Sequence, residues 1–283
     1  MASKIVLTDL NFDCLEGLLK YLSLGDLLKL ADSNATLHQF VKIILIQKYG
    51  TSLVLGYHRF QRYLCTCNND LAIDNLKMSL QLFRCFGSQI SHLSLTFKEK
   101  FEKNGNAWNN HLIDYINTYC TESLQTLELN GIQKIVPYHL KKPFPNVENV
   151  YIEDCFFNDL DERNSICSLF PKLTNLTLVY KWMEDGNSKY DPRIHGTFKF
   201  IAKHYPFLEC FQFGVCFGFH TFKTDLIKKS LLHAIRLNPQ LKVLDISITK
   251  CPLVTLGDLQ KVSNSLQCLE HLKLVIATNS VCQ

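Results

Sequence analysis

Pro171-Lys172-Leu173-Thr174-Asn175-Leu176-Thr177-Leu178 is the stretch on which the fold turns. Its leucines stand at i, i+3 and i+5, behind a proline at i−2. In an extended strand alternate side chains share a face, so Leu176 and Leu178 point the same way. Proline ends any preceding helix and turns the chain into the strand. The same spacing recurs at Ile90/Leu93/Leu95, Leu124/Leu127/Leu129, Val147/Val150/Ile152, Leu208/Phe211/Phe213, Leu241/Leu244/Ile246 and Leu269/Leu272/Leu274. With the quoted unit, successive starts lie 34, 23, 26, 35, 33 and 28 residues apart. One such triplet means nothing, whereas seven in series define a repeat. Pro145, Pro206 and Pro239 hold the same place as Pro171 before Val147, Leu208 and Leu241.

Helical periodicity fills the intervals, over 75–85, 108–119, 196–205, 224–237 and 255–262. In the fourth of these Leu226, Ile227, Ser230, Leu231, Ala234 and Ile235 form one face. The polar stretch 184–192 reads as a protruding loop. Strand plus helix at this period resembles the leucine-rich repeat. The resemblance implies an α/β horseshoe, with parallel strands on its concave side and helices outside. Cys155 and Cys216, three residues after the last anchor of their units, occupy the position that takes Asn or Cys in such repeats.

The first fifty residues differ in kind. Leu15, Leu18, Leu19 and Leu22 share one helical stripe, with Asp13 placed to cap it and Glu16 to complete a box. Ser23-Leu24-Gly25 breaks this helix, and Asp26 is expected to cap a second one carrying Leu27, Leu28, Leu30 and Ala31. A third helix opens near Asn34 and stops at Gly50. Three short helices of this length are marginal alone and must lean on the rest of the chain or on a partner.

The apolar order from Leu10 to Ala31 resembles the F-box, with Asn11 where that family often has proline and Tyr49 in place of a late tryptophan. The resemblance implies docking on the Skp adaptor of an SCF (cullin–RING) ubiquitin ligase through Leu10, Leu15, Leu18, Leu19, Leu22, Leu27 and Leu30. Aspartate at Leu15 and Leu19 should then abolish docking and leave the repeats folded. The whole chain is similar to the F-box/leucine-rich-repeat substrate receptors, with the F-box at 5–50, a connecting or capping segment at 51–74 and about seven repeats over 75–283. The other reading is an interaction scaffold whose N-terminal helices only cap the array, as solenoid ends require.

Strand alternation assigns the recognition face. If the second and third anchors point inward, the intervening residues line the concave surface, and Glu128, Tyr151, Glu153, Thr177, Gln212 and Asp245 are the candidate substrate contacts. His92, Ser94 and Thr96 hold the same positions in the first unit. With three acids and one lysine, the face is either a dock for a basic protein segment or an ordinary solvated sheet surface. Phe211 and Phe213 are anchors, whereas Phe217, Phe219 and Phe222 fall in the loop that follows.

Composition narrows the rest. The 283 residues are 47% hydrophobic and 20% charged, which fits a packed core. Thirty basic against 26 acidic residues, with no long basic run, point away from nucleic acid. No apolar run reaches the roughly 20 residues of a membrane span, and residues 1–10 do not read as a signal peptide, so cytoplasm or nucleus is expected. The twelve cysteines are then expected to be reduced, and Cys65-Thr66-Cys67 near His58 has no second pair to complete a zinc site. Phosphate-loop, GxSxG and HExxH motifs are missing. The expectation is a non-catalytic adaptor with no metal and no cofactor.

Overall fold

Helix caps set the register of the N-terminal helices in the computed structural model, which describes residues 7–58, 62–65, 71–73, 76–97, 105–130, 140, 142–153, 169–181, 207–216, 224–249 and 254–277. Helix α1 (Phe12–Leu19) is capped by Asn11, whose Oδ1 accepts the Cys14 N–H at 2.9 Å. The cap is thus Asn11 rather than Asp13, and a residue with a short acceptor side chain takes the place of a proline that offers only a fixed φ. Helix α2 (Leu24–Ser33) is capped by Ser23, so it starts before Asp26. Asp26 occupies the third helical position and takes the Ser23 hydroxyl at 2.7 Å. Helix α3 (Ala35–Tyr49) opens on Asn34, whose side chain accepts from Thr36 and Leu37. It ends at Gly50, where φ is +72°, a left-handed value that favours glycine.

The fold is α/β and divides into two compact units, Met1–Leu124 and Gln125–Gln283. In the first unit β1 (Ser52–His58) follows α3 after Gly50 and Thr51 alone. It pairs in parallel with β4 (His92–Phe97), and on its other side antiparallel with β2 (Arg62–Cys65), which pairs with β3 (Leu71–Ile73). Helix α4 (Leu76–Phe86) precedes β4, and α5 (Gly105–Tyr119) follows it. Both match the expected periodic segments.

Among the described residues the second unit carries six strands in strict chain order: β5 (Thr126–Asn130), β6 (Asn149–Glu153), β7 (Asn175–Lys181), β8 (Cys210–Cys216), β9 (Val243–Thr249) and β10 (His271–Ala277). All are parallel. The anchors of the repeat are each other's register partners, Leu127–Val150–Leu176–Phe211–Leu244–Leu272 in one row and Leu129–Ile152–Leu178–Phe213–Ile246–Leu274 in the next. From β5 to β9 these residues are at most 4% exposed. Helix α6 (Thr224–Arg236) precedes β9, and α7 (Leu256–Gln260) precedes β10. The expected helix over 196–205, the loop over 184–192, Pro206, Cys155, Phe217, Phe219 and Phe222 lie outside the described residues, as does the side chain of Cys216.

Two backbone devices recur with the repeat. The carbonyl after each first anchor accepts two N–H groups from the following unit. Gln125 serves Glu148 and Asn149, Glu148 serves Thr174 and Asn175, Thr174 serves Glu209 and Cys210, Glu209 serves Lys242 and Val243, and Lys242 serves Glu270 and His271, all at 2.8–3.1 Å. A carbonyl has two lone pairs, so one acceptor fixes the start of a neighbouring strand twice over. Three first anchors also donate to the carbonyl three residues back, behind a proline: Val147 to Phe144, Leu173 to Phe170, and Leu241 to Asn238. Pro145, Pro171 and Pro239 thereby sit second in a four-residue turn, where a fixed φ favours turn formation.

The same bifurcated carbonyl appears in the first unit, where Thr51 serves Ser91 and His92. Leu53 and Leu55 pair with Leu93 and Leu95 and are at most 3% exposed. Residues 50–55 therefore carry a further copy of the spacing, with Gly50 in the place of the first anchor. Segment 51–74, expected as a connecting or capping segment, contributes β1, β2 and β3.

Position minus three of the unit beginning at Ile90 is Gly87, and the chain of α5 packs directly on it. A β-carbon built there lies 2.7 Å from Tyr119 Cβ and 3.2 Å from Cys120 Sγ. Gly87→Ala is therefore expected to cost about 1–3 kcal/mol through forced backbone movement, read as a lower denaturation midpoint at unchanged slope.

In the second unit Thr255 and Asp258 form a reciprocal capping box at α7, and Lys228 Nζ reaches Asp258 Oδ2 at 2.6 Å. The Lys228 contact first, then the two Thr255 hydrogen bonds, hold the Asp258 carboxyl well below the usual carboxylate range. It is the charged form that gains partners on folding. Its contribution is complete above the unfolded value of about 3.9 and is lost as pH falls further. Asp258→Ala is expected to lower Tm by about 2–4 °C at neutral pH. That gap should narrow in melts taken well below pH 4.

Candidate functional site

Among the described residues two surfaces stand out, one in each unit. In the first, the leucine stripe of α1 is split. Leu15, Leu19 and Leu27, expected as adaptor contacts, are at most 1% exposed and hold the helices together. Leu18 is 52% exposed and Tyr21 is 91% exposed. Cys14 and Leu18 stand one turn apart on α1, about 100° round the helix from Leu15 and Leu19, and Tyr21 follows in the turn after the helix ends. Leu10, Leu22 and Leu30 are half-buried. Phe12 is partly exposed and rests its ring on Phe40, centroids 5.6 Å apart. Ile43, also partly exposed, follows one turn later on α3.

The inner side of these helices is tied down. Lys48 at the end of α3 donates to the carbonyls of Lys20 and Leu22, at 3.4 and 3.3 Å, closing the end of α1. Asp32 on α2 pairs with Arg84 and accepts from Gln81 Nε2 at 3.0 Å, both on α4. Lys42 on α3 donates to Ser88 at 3.4 Å. Leu18 and Tyr21 thus stay exposed although the helices that carry and flank them are fixed.

In the second unit the sheet face opposite the anchors alternates as expected, half-buried where the anchors are buried. Register joins five of the six candidate contacts into a single row, Glu128–Tyr151–Thr177–Gln212–Asp245, which continues to Lys273. At about 4.8 Å between strands the row is roughly 24 Å long. Glu153 lies in the next row, beside Asn130 and Val179. In the first unit the corresponding face is less open, because Ser94 is buried there, contrary to expectation.

The polar groups of this face are largely paired with each other. Tyr151 Oη donates to Glu153 at 2.6 Å, Thr177 Oγ1 lies 3.2 Å from Gln212 Oε1, and Lys273 Nζ meets Asp245 Oδ2 at 3.0 Å. Asn149 donates to Thr126, and Asn175 to Asn149. Glu153 and Asp245 therefore already have partners within the face, which weakens the argument for a basic ligand. Mutual pairing fixes rotamers, and a face so ordered loses little entropy on binding.

No family model and no curated protein matches the chain.

Three of the described cysteines, Cys85, Cys120 and Cys210, are buried or partly buried. Burial pushes the Cys85 thiol up to about 11 and the Cys120 thiol up to about 12. Burial and then the Asp245 charge also raise Cys210. These three sulfurs are held as thiols, whereas nucleophilic attack needs the thiolate. Among the described residues no group of three His, Cys, Asp or Glu side chains is placed to hold a metal, and no helix is long and apolar enough to cross a membrane. The Asn11 cap, the unit at Gly50 and the exposed Leu18–Tyr21 pair were not foreseen.

Proposed function

We propose that the chain is the substrate-recognition subunit of an SCF-type ubiquitin ligase. In this reading the N-terminal helices dock on the Skp adaptor, and a leucine-rich-repeat horseshoe presents its polar sheet face to a target protein. The observation that carries it is the exposure of Leu18 and Tyr21 at the end of a helix otherwise packed and capped. A mere cap of an array needs an apolar inner side and a polar outer one. Here Leu18 and Tyr21 stand exposed among the polar residues Asp13, Glu16 and Lys20, and a partner that covers the two apolar side chains accounts for them. The row from Glu128 to Asp245 supplies the target face. The adaptor role requires no catalytic residues of its own.

The scaffold reading keeps one specific support, the Asp32–Arg84–Gln81 contacts that seat α2 on α4. Pull-down with purified Skp adaptor separates the two readings. The double substitution Leu18→Asp and Tyr21→Asp should weaken binding at least about tenfold, the equivalent of 1.4 kcal/mol, with circular dichroism and Tm unchanged. A wild-type chain that shows no adaptor binding, or a double variant that binds as well as wild type, would overturn the ligase assignment. Leu15→Asp and Leu19→Asp are unsuitable for this purpose, since a charge at either site unfolds the helices.

A further inference from the structure

No further inference is drawn: the strongest candidate, the outer side of β10 where Leu272 and Val275 stand 39% and 37% exposed, is an apolar sheet edge and nothing in the structure shows what covers it.

Discussion

Phe213→Ala is expected to destabilise the second unit by about 3–5 kcal/mol, the largest effect of any single truncation considered for this chain. Phe213 is the third anchor of β8 and is 1% exposed, with Leu178 and Ile246 beside it in register, themselves at most 3% exposed. The cost has two parts. Removing the ring forfeits its transfer from water, and the flanking strands cannot close the void because each is pinned at its start. The pins are the carbonyls of Glu148, which holds the start of β7, and of Glu209, which holds the start of β9, each taking two N–H groups. A strand so fixed cannot slide inward to fill a cavity, which puts the loss toward the upper end of the range. Urea unfolding followed by circular dichroism reads it directly. Gln212→Ala is the matched control one residue away on the opposite face, and it should stay within about 0.5 kcal/mol of wild type. Equal losses at both positions would mean that the two faces of β8 have been assigned the wrong way round.

How far the sequence reveals this architecture follows from what sets each feature. Anchors such as Leu176 and Leu178 are legible because burial on one face of a strand demands apolar side chains with a period of two. The unit at Gly50 was hidden for a physical reason. Its first anchor doubles as the end of α3, and the left-handed backbone needed there, φ +72°, favours glycine over any apolar residue. Pattern reading also placed Leu15, Leu18, Leu19 and Leu22 on one stripe. Periodicity identifies a shared face but not where the surrounding chain stops covering it. Tertiary packing draws that boundary, with Leu15 and Leu19 inside and Leu18 outside. The candidate recognition row was legible residue by residue from alternation. Its continuity across β5 to β9 was not, since register depends on the bifurcated carbonyls, which leave no trace in side-chain composition.

Asn238→Ala is expected to cost about 2–4 kcal/mol, although no apolar contact is lost. Asn238 is 2% exposed and occupies the position three before the first anchor Leu241, where the units beginning at Val147 and Leu173 have Phe144 and Phe170. Those phenylalanines fill space and touch each other, centroids 5.8 Å apart. The asparagine instead makes two hydrogen bonds that no phenylalanine can offer. Its Oδ1 accepts the Leu208 N–H at 3.1 Å, and its Nδ2 donates to the Ala234 carbonyl at 2.8 Å. One side chain thus satisfies the backbone at the last turn of α6 and at the first anchor of the preceding unit. Alanine leaves both groups enclosed without a partner, and each such group costs about 1–3 kcal/mol. Phenylalanine at 238 fits the repeat pattern but leaves the same two groups unpaired, so it should also destabilise. Denaturation midpoints that place both the alanine and the phenylalanine variant below wild type would establish hydrogen bonding as the cause. A phenylalanine variant as stable as wild type would show that filling space is enough at this turn.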